Sequence, residues 1–491
     1  MSYYIGADLG TSALKMLLAD DNGNIIKSVT ESYDVIYPHD GWSEQNPEDW
    51  WIAFCEGIKK LIADIDKSLV KGISVAGQMH GLVILDKDDN VIRPAILWND
   101  TRTGEETDYL NEVVGKQKLS DFTSNIAFAG FTAPKILWVK ENEPENFNRI
   151  EKIMLPKDYI NYRLTGVHST DFSDASGMLL LDVKNRKWSK EMMDICSVSE
   201  NQLPELFESY QSIGTVKETT AEEFGIASNV VVAAGAGDNA GAAIGNGTSG
   251  NGKCNISLGT SGTIFISAEN HSLDENNALH SFCHADGKYH LMACMLSAAS
   301  CNKWFCDNIL MEKDYSSVQN NIDNDMLGRN NVFFLPYMMG ERSPVNDCDA
   351  SGVFIGLRPN TTREEMLLAI LEGVSFAVKD NIEIAKKLGI NIEKSTVCGG
   401  GAKSDLWLKV LSNVLGITLL VPEKEEGPAF GSAILAMCAS GDRGIEIAVE
   451  PSIIKMVFPE EELQKRYEER YSKFKNIYPA VKSLYKTLRE E

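Results

Sequence analysis

The sequence predicts an α/β protein made of two copies of one domain, and three observations predict it. The tetrapeptide Leu-Gly-Thr-Ser occurs twice, at 9–12 and at 258–261. Each copy lies between apolar, β-forming runs: Tyr3-Tyr-Ile-Gly-Ala-Asp and 14–19 around the first, Cys254-Asn-Ile-Ser and 263–268 around the second. Further along each half, a helical pattern leads into a short apolar strand that ends in glycine, at Gly77 and again at Gly399-Gly-Gly. One matching tetrapeptide is weak, but two matched units in the same order point to a duplication. The halves divide near residue 247, giving domains over 1–247 and 248–491 that face each other across a central cleft.

The elements follow in chain order. An apolar run broken by glycine and resumed by β-formers reads as strand, tight turn, strand at both tetrapeptides. Residues 47–65 read as an amphipathic helix, with Trp51, Phe54, Ile58, Leu61 and Ile62 at helical spacing. Asn46 is placed to cap it and Pro47 to open its first turn. The buried strand Lys71-Gly-Ile-Ser-Val-Ala then ends in Gly77-Gln-Met-His-Gly. A strand at 229–234 precedes Gly235-Ala-Gly-Asp-Asn-Ala-Gly. In the second half a helix around 366–388 leads into Ser395-Thr-Val-Cys, the glycines 399–401, and a helix over 406–415. Alternating charge over 460–488 reads as a solvated terminal helix.

Composition narrows the function. The 491 residues carry 70 acidic and 47 basic side chains, a net charge of −23. That balance excludes nucleic acid as a partner, since such binding rests on neutralising phosphates, and equally an anionic membrane surface. No uncharged stretch exceeds 15 residues, as at 254–268, which is too short to span a bilayer. The first residues lack the basic and apolar regions of a secretory signal, so a cytoplasmic location is expected. The 10 cysteines include no Cys-x-x-Cys pair and read as small, reduced core residues. The grouping of His280, Cys283, His284 and His290 lacks paired zinc spacing and reads as ordinary packing.

The two Gly-Thr-Ser turns carry the first chemistry. Without a Cβ, consecutive backbone N–H groups can approach phosphate oxygens, and Thr11, Ser12, Thr260 and Ser261 add hydroxyl donors. Either turn alone could be a plain hairpin; the duplicated pair favours a two-sided phosphate clamp. The copies differ where Asp8 of the first is Ser257 of the second. A carboxylate beside a phosphate turn repels unless a cation intervenes, which makes Asp8 a candidate for holding Mg²⁺. Lys15 is either a further positive charge or an ordinary exposed strand lysine. The glycines at 235–241 loosely fit a dinucleotide fingerprint, but Asp238 stands where the pyrophosphate should sit. Asp238 is then a helix cap or a base kept ionised by the helix dipole, and the residues leave both open. Gln78, Met79 and His80 leave a buried strand at a carboxyl end and offer contacts to hydroxyl groups, although a lone loop histidine is often merely satisfied. Trp98-Asn-Asp-Thr-Arg102 supplies another polar cluster. Glycines 399–401 let a flat base lie on the backbone, and Asp405 could hydrogen-bond it.

Taken together, Asp8-Leu-Gly-Thr-Ser, Gly77-Gln-Met-His-Gly, Trp98-Asn-Asp-x-Arg102, Phe131-Thr-Ala-Pro-Lys135, Leu155-Pro-Lys-Asp-Tyr159, Gly237-Asp-Asn239, Ser257-Leu-Gly-Thr-Ser-Gly262 and Gly399-Gly-Gly-Ala402 resemble the FGGY family of sugar kinases. The resemblance runs from about residue 4 to 441, and Gly352-Val-Phe-Ile-Gly-Leu357 with the following Glu365-Met and Ala369-Ile-Leu-Glu372 fits the family's C-terminal signature. It implies an actin/hexokinase-like (ribonuclease H-like) ATPase fold of two duplicated domains, sugar-binding then nucleotide-binding, with ATP and Mg²⁺ as cofactors. By this resemblance Asp238 is the catalytic base, and Asp8 the essential carboxylate that holds Mg²⁺ through water. Gln78, Met79, His80 and Asn239 contact the sugar. The nucleotide side takes Thr11, Ser12, Lys15, Gly259, Thr260, Gly400, Gly401, Ala402 and Asp405. Gly235-Ala-Gly departs from the three glycines usual there, with alanine small enough to keep the turn. The implied reaction transfers the ATP γ-phosphoryl group to a primary hydroxyl of D-xylulose or a related ketose. The alternatives are a relative acting on ribulose, fructose or glycerol, and an actin-like ATPase that phosphorylates no small substrate. A homodimer is a further expectation.

Overall fold

The computed structural model describes residues 2–423, 427–447 and 449–489. Its contacts divide the chain into two units: Met1–Ser249 with Ser281–His290 and Glu426–Glu450, and Gly250–His280 with Leu291–Glu425 and Pro451–Glu491.

The first unit opens with β1 (Tyr3–Leu9) and β2 (Ala13–Asp20), antiparallel about the first Gly-Thr-Ser turn, and β3 (Ile25–Ser32) beside β2. Helix α1 (Pro47–Leu61) begins where the Asn46 side chain accepts the Glu48 amide, and stops short of the expected residue 65. It delivers β4 (Val70–Gly77) parallel to β1. The strands β5 (Ser212–Thr215) and β6 (Val231–Ala233) complete the order β5-β6-β4-β1-β2-β3, and α2 (Asp238–Gly245) follows.

The second unit repeats the plan. Strands β7 (Cys254–Leu258) and β8 (Gly262–Ala268) form the hairpin. Helix α3 (Arg363–Lys387) delivers β9 (Lys394–Cys398) parallel to β7. Helix α4 (Asp405–Leu415) leads to β10 (Thr418–Pro422). Thr362 and Ser404 set the starts of α3 and α4, each with a hydroxyl that accepts an amide of the first turn. The chain then leaves this unit for α5 (Pro428–Ala439) and returns as β11 (Ile453–Val457), antiparallel to β10. Helices α6 (Glu461–Phe474) and α7 (Ile477–Arg489) close the chain.

Alternation along β1 fills both faces of the first sheet. Ile5, with Leu14 and Met16, packs on Trp50, Phe54 and Ile58 of α1, whereas Tyr4, with Leu17 and Ala19, packs on Ala429, Ala433 and Met437 of α5. Truncating a fully buried aromatic such as Phe54 to alanine costs about 3–5 kcal/mol in such cores. Helix α5 can lie so close because Gly6 and Gly72 present no side chain. A Cβ on Gly6 would run into the Ala429 carbonyl, and one on Gly72 would stand 2.8 Å from that of Ala436.

The terminal segment corrects the expectation of one solvated helix over 460–488. Two helices form there, and Leu463, Tyr467, Tyr471, Phe474 and Tyr485 enter the core of the second unit. Arg470 forms a buried 2.6 Å ion pair with Glu372 of α3. The charges at i,i+4 on the outer face hide an apolar stripe at spacings of three and four. Among the described residues, no helix is long and apolar enough to cross a membrane.

Candidate active site

Three strand ends come into register in the first unit. Strands β1 and β4 run parallel with Asp8 beside Ala76 and Leu9 beside Gly77. The two-residue strand Ala236–Gly237 runs parallel to β4 with Gly237 beside Gly77. Residues 10–12, 78–80 and Asp238 therefore emerge side by side at the carboxyl edge, where open α/β sheets bind ligands.

Two carboxylates share this edge. Burial first, and then the negative charge of Asp238, push the Asp8 carboxyl up to about 7, while Lys15, its cross-strand partner, pulls the other way. Burial pushes Asp238 up to about 6, although the backbone N–H and side-chain amide of Asn239 both donate to its Oδ1, at 2.7 and 2.9 Å. Burial outweighs the helix N-terminus here, yet an acid near 6 is still mostly ionised at neutral pH. The cap position of α2 belongs to Gly237, so Asp238 stands inside the first turn rather than before it. Two half-buried carboxylates that resist ionising together suit a divalent cation that keeps its waters and takes phosphate oxygens as further ligands. Among the described residues, no group of three or more His, Cys, Asp or Glu side chains could hold a metal on its own.

Beside the carboxylates stand Met79 and His80. His80 has a φ of 70°, in the left-handed region. Its Nδ1 lies 2.7 Å from the Gly177 carbonyl and its ring stacks on Phe131 at 4.6 Å. A carbonyl only accepts, so Nδ1 carries the proton and Nε2 of the neutral ring is an acceptor. Gly177 and Gly237 make room for the pair. A Cβ on Gly177 would overlap the His80 ring, and one on Gly237 would lie 3.0 Å from Met79 Sδ.

Gln78 is spent internally. Thr11 Oγ1 donates to its Oε1 at 3.2 Å, and its Nε2 donates to Gln45 Oε1 at 3.0 Å. Trp98 Nε1 in turn donates to Thr11 Oγ1 at 3.0 Å. Thr11, expected beside the nucleotide, is thus tied to Gln78 and Trp98, while Ser12 and Lys15 are exposed. The remainder of the 98–102 cluster braces the loop, with Arg102 paired to Asp100 at 2.7 Å and stacked 3.7 Å over Trp42.

A buried chain of polar groups backs Asp238. The Gly237 amide donates to Ser173 Oγ at 3.1 Å, and Ser173 Oγ donates to Asp171 Oδ2 at 2.5 Å. Lys157 Nζ holds the other Asp171 oxygen at 3.0 Å and Asp158 at 2.6 Å, all fully buried. Breaking one member of such a network costs far more than a surface pair does.

The second unit carries a cavity of about 570 Å³ at the corresponding strand ends. Gly259, Thr260, Gly400 and Gly401 line it, joined by Ser300, Asn302, Lys303, Tyr315, Lys403 and Trp407, which no motif had marked. The three glycines play different parts. A Cβ on Gly399 would meet the Leu258 carbonyl at 2.8 Å, and one on Gly401 would meet Leu258 Cβ at 2.7 Å; Gly400 is open. Of the residues expected here, Ala402 and Asp405 are not part of the lining. Asp405 is exposed and pairs with Lys455 of β11 at 2.5 Å. The volume suits a nucleotide-sized ligand, and two lysines beside a glycine turn suit phosphates.

The N-terminal domain of the FGGY family of carbohydrate kinases matches residues 3–245 of this chain, and its C-terminal domain matches residues 254–440. A xylulose kinase of Staphylococcus xylosus is 37% identical over 485 residues, 97% of this chain and 100% of that protein. That of Escherichia coli (strain K12) is 39% identical over 479 residues, 97% and 98% of the two chains. Among solved structures, a xyloylose kinase from Brucella ovis superposes with a TM-score of 0.94 at 39% identity, covering 98% of this chain and 100% of that one.

Proposed function

The chain belongs to the FGGY family of carbohydrate kinases, and from that membership we propose that it transfers the γ-phosphoryl group of ATP to D-xylulose, giving D-xylulose 5-phosphate. The observation that carries this function is the meeting of Asp8, Met79, His80 and Asp238 at one sheet edge.

In the proposed reaction a primary hydroxyl of the ketose lies against Asp238. Its oxygen forms a bond to the γ-phosphorus as the bond from that phosphorus to the β–γ bridging oxygen breaks. The hydroxyl proton passes to Asp238, and ADP leaves with the released charge. Met79 packs on the sugar, while His80 and Asn239 hydrogen-bond its hydroxyls. Gln78 acts behind them by fixing Thr11 and Trp98. In the second unit Gly259 and Thr260 bind phosphate oxygens, with Lys303 and Lys403 as counter-charges, and the base lies along Gly400 and Gly401. Asp8 fits a Mg²⁺ ion, which when bound would neutralise charge on the β- and γ-phosphates. Positioning and charge stabilisation supply most of the catalysis in such transfers. A cytoplasmic location accords with this need for ATP.

A coupled ADP-release assay over D-xylulose, D- and L-ribulose, D-fructose, glycerol and gluconate tests the proposal. D-Xylulose is expected to give the highest kcat/KM by at least tenfold. A higher value for any of the others would reassign the substrate, and ATP turnover indifferent to every one of them would remove the kinase reading.

A further inference from the structure

Lys135 lies in the first turns of the helix Thr132–Asn142, wholly buried, where an ammonium is unwelcome on two counts. Burial strips its water, and a helix N-terminus repels a cation. Among the described residues no carboxylate lies within ion-pair distance of it. Its Nζ instead donates to two backbone carbonyls, that of His80 at 2.9 Å and that of Gly130 at 2.6 Å. Thr132 Oγ1 donates to the same His80 carbonyl at 3.1 Å. Both lone pairs of that oxygen are therefore taken, which fixes the peptide plane after His80. The plane needs fixing because His80 holds its left-handed φ without being glycine. Gly130, the second acceptor, immediately precedes Phe131, whose ring stacks on His80. One ammonium thus ties together the backbones of both partners in the stack. Burial also lowers its affinity for a proton, to about 7, so the group is held here at a cost. An apolar side chain would fill the same volume without that cost, but it would take from the Gly130 carbonyl its ammonium donor, leave the His80 carbonyl to Thr132 alone and free the histidine to relax.

We propose that Lys135 is a positioning residue for the ketose, holding the His80 ring at the angle at which it meets the sugar. This rests on the reading that His80 contacts the substrate. The test uses the full-length Lys135→Met and Thr132→Val variants, with His80→Ala as reference. Lys135→Met is expected to raise KM for D-xylulose by about tenfold or more, with KM for ATP within about twofold of the parent. The protein has seven histidines, and the Cε1–H resonance of His80, identified by its loss in His80→Ala, is expected to shift as the ring leaves Phe131. Thr132→Val removes one of the two donors at nearly constant volume. It should show the same signature at about two- to fivefold, and so serves if Lys135→Met does not fold. An unmoved His80 resonance, or equal rises in both KM values, overturns the proposal. A normal ketose KM in His80→Ala would instead remove its premise, the substrate role of His80.

Discussion

Asp238 joins two properties that pull against each other. To accept a proton it must be ionised, and its burial opposes that by raising its acid constant to about 6. The rate should therefore climb as pH rises through about 6 and then level off. The stability sign is opposite. A carboxyl whose folded value lies above the ordinary 3.8 favours the folded state below about pH 4, and that contribution is lost as pH rises past 6. Asp238→Asn should thus lower kcat by about 10²–10⁴ while melting above the parent at pH 8 and level with it at pH 4. Steady-state kinetics and thermal melts at the two pH values check both halves. Near-parental kcat with a lower melting temperature would return Asp238 to a role in starting α2. The places of Asp8 and Asp238 at strand ends were legible in the sequence because glycine turns mark them locally. Gly177 and Ser173 were not, since Gly177 meets His80 across 97 residues and Ser173 meets Gly237 across 64. No spacing rule reaches that far.

Among the elements, the turn after β9 separates packing from ligand contact. A methyl on Gly401 would press on Leu258 and, at 3.1 Å, on the Trp407 ring, whereas one on Gly400 would meet nothing within 4 Å. Gly401→Ala should cost about 1–3 kcal/mol and raise KM for ATP, because the cavity floor must move. Gly400→Ala should melt like the parent and alter only the ATP constant. Melting curves and ATP titrations of the two variants, side by side, decide the matter; equal melting temperatures would mean Gly401 is not a packing position. The repeated strand-turn-strand units were readable because period and punctuation are local signals. The terminal helices were misread for a related reason. Salt bridges such as Lys465 with Glu461 cover one face and mask the apolar residues of the other. Asp405 illustrates the same limit, since its partner Lys455 stands on a strand formed 50 residues later.

The molecule as a whole is threaded so that its first unit needs residues from near the other end. Helix α5 covers the sheet face on which Tyr4, Leu17 and Ala19 lie. A fragment ending at Ser249 would leave that face in water and should bind a hydrophobic dye, lack near-ultraviolet dichroism and melt without cooperativity. Joining residues 427–447 through a flexible linker should restore a cooperative transition. A cooperative melt of the shorter fragment would show α5 to be dispensable. The same threading bears on how the protein is made. Ribosomes elongate at about 5–20 residues per second, so the roughly 180 residues between Ser249 and α5 take on the order of 10–40 s. Throughout that interval the nascent N-terminal sheet waits with one side unclosed, exposed to chaperones and proteases. The second unit waits too, for β11, α6 and α7. A message cut short before the codons of α5 would therefore leave neither half finished. The cell would meet such a product as a substrate for degradation, not as a lone domain able to bind sugar or nucleotide unproductively.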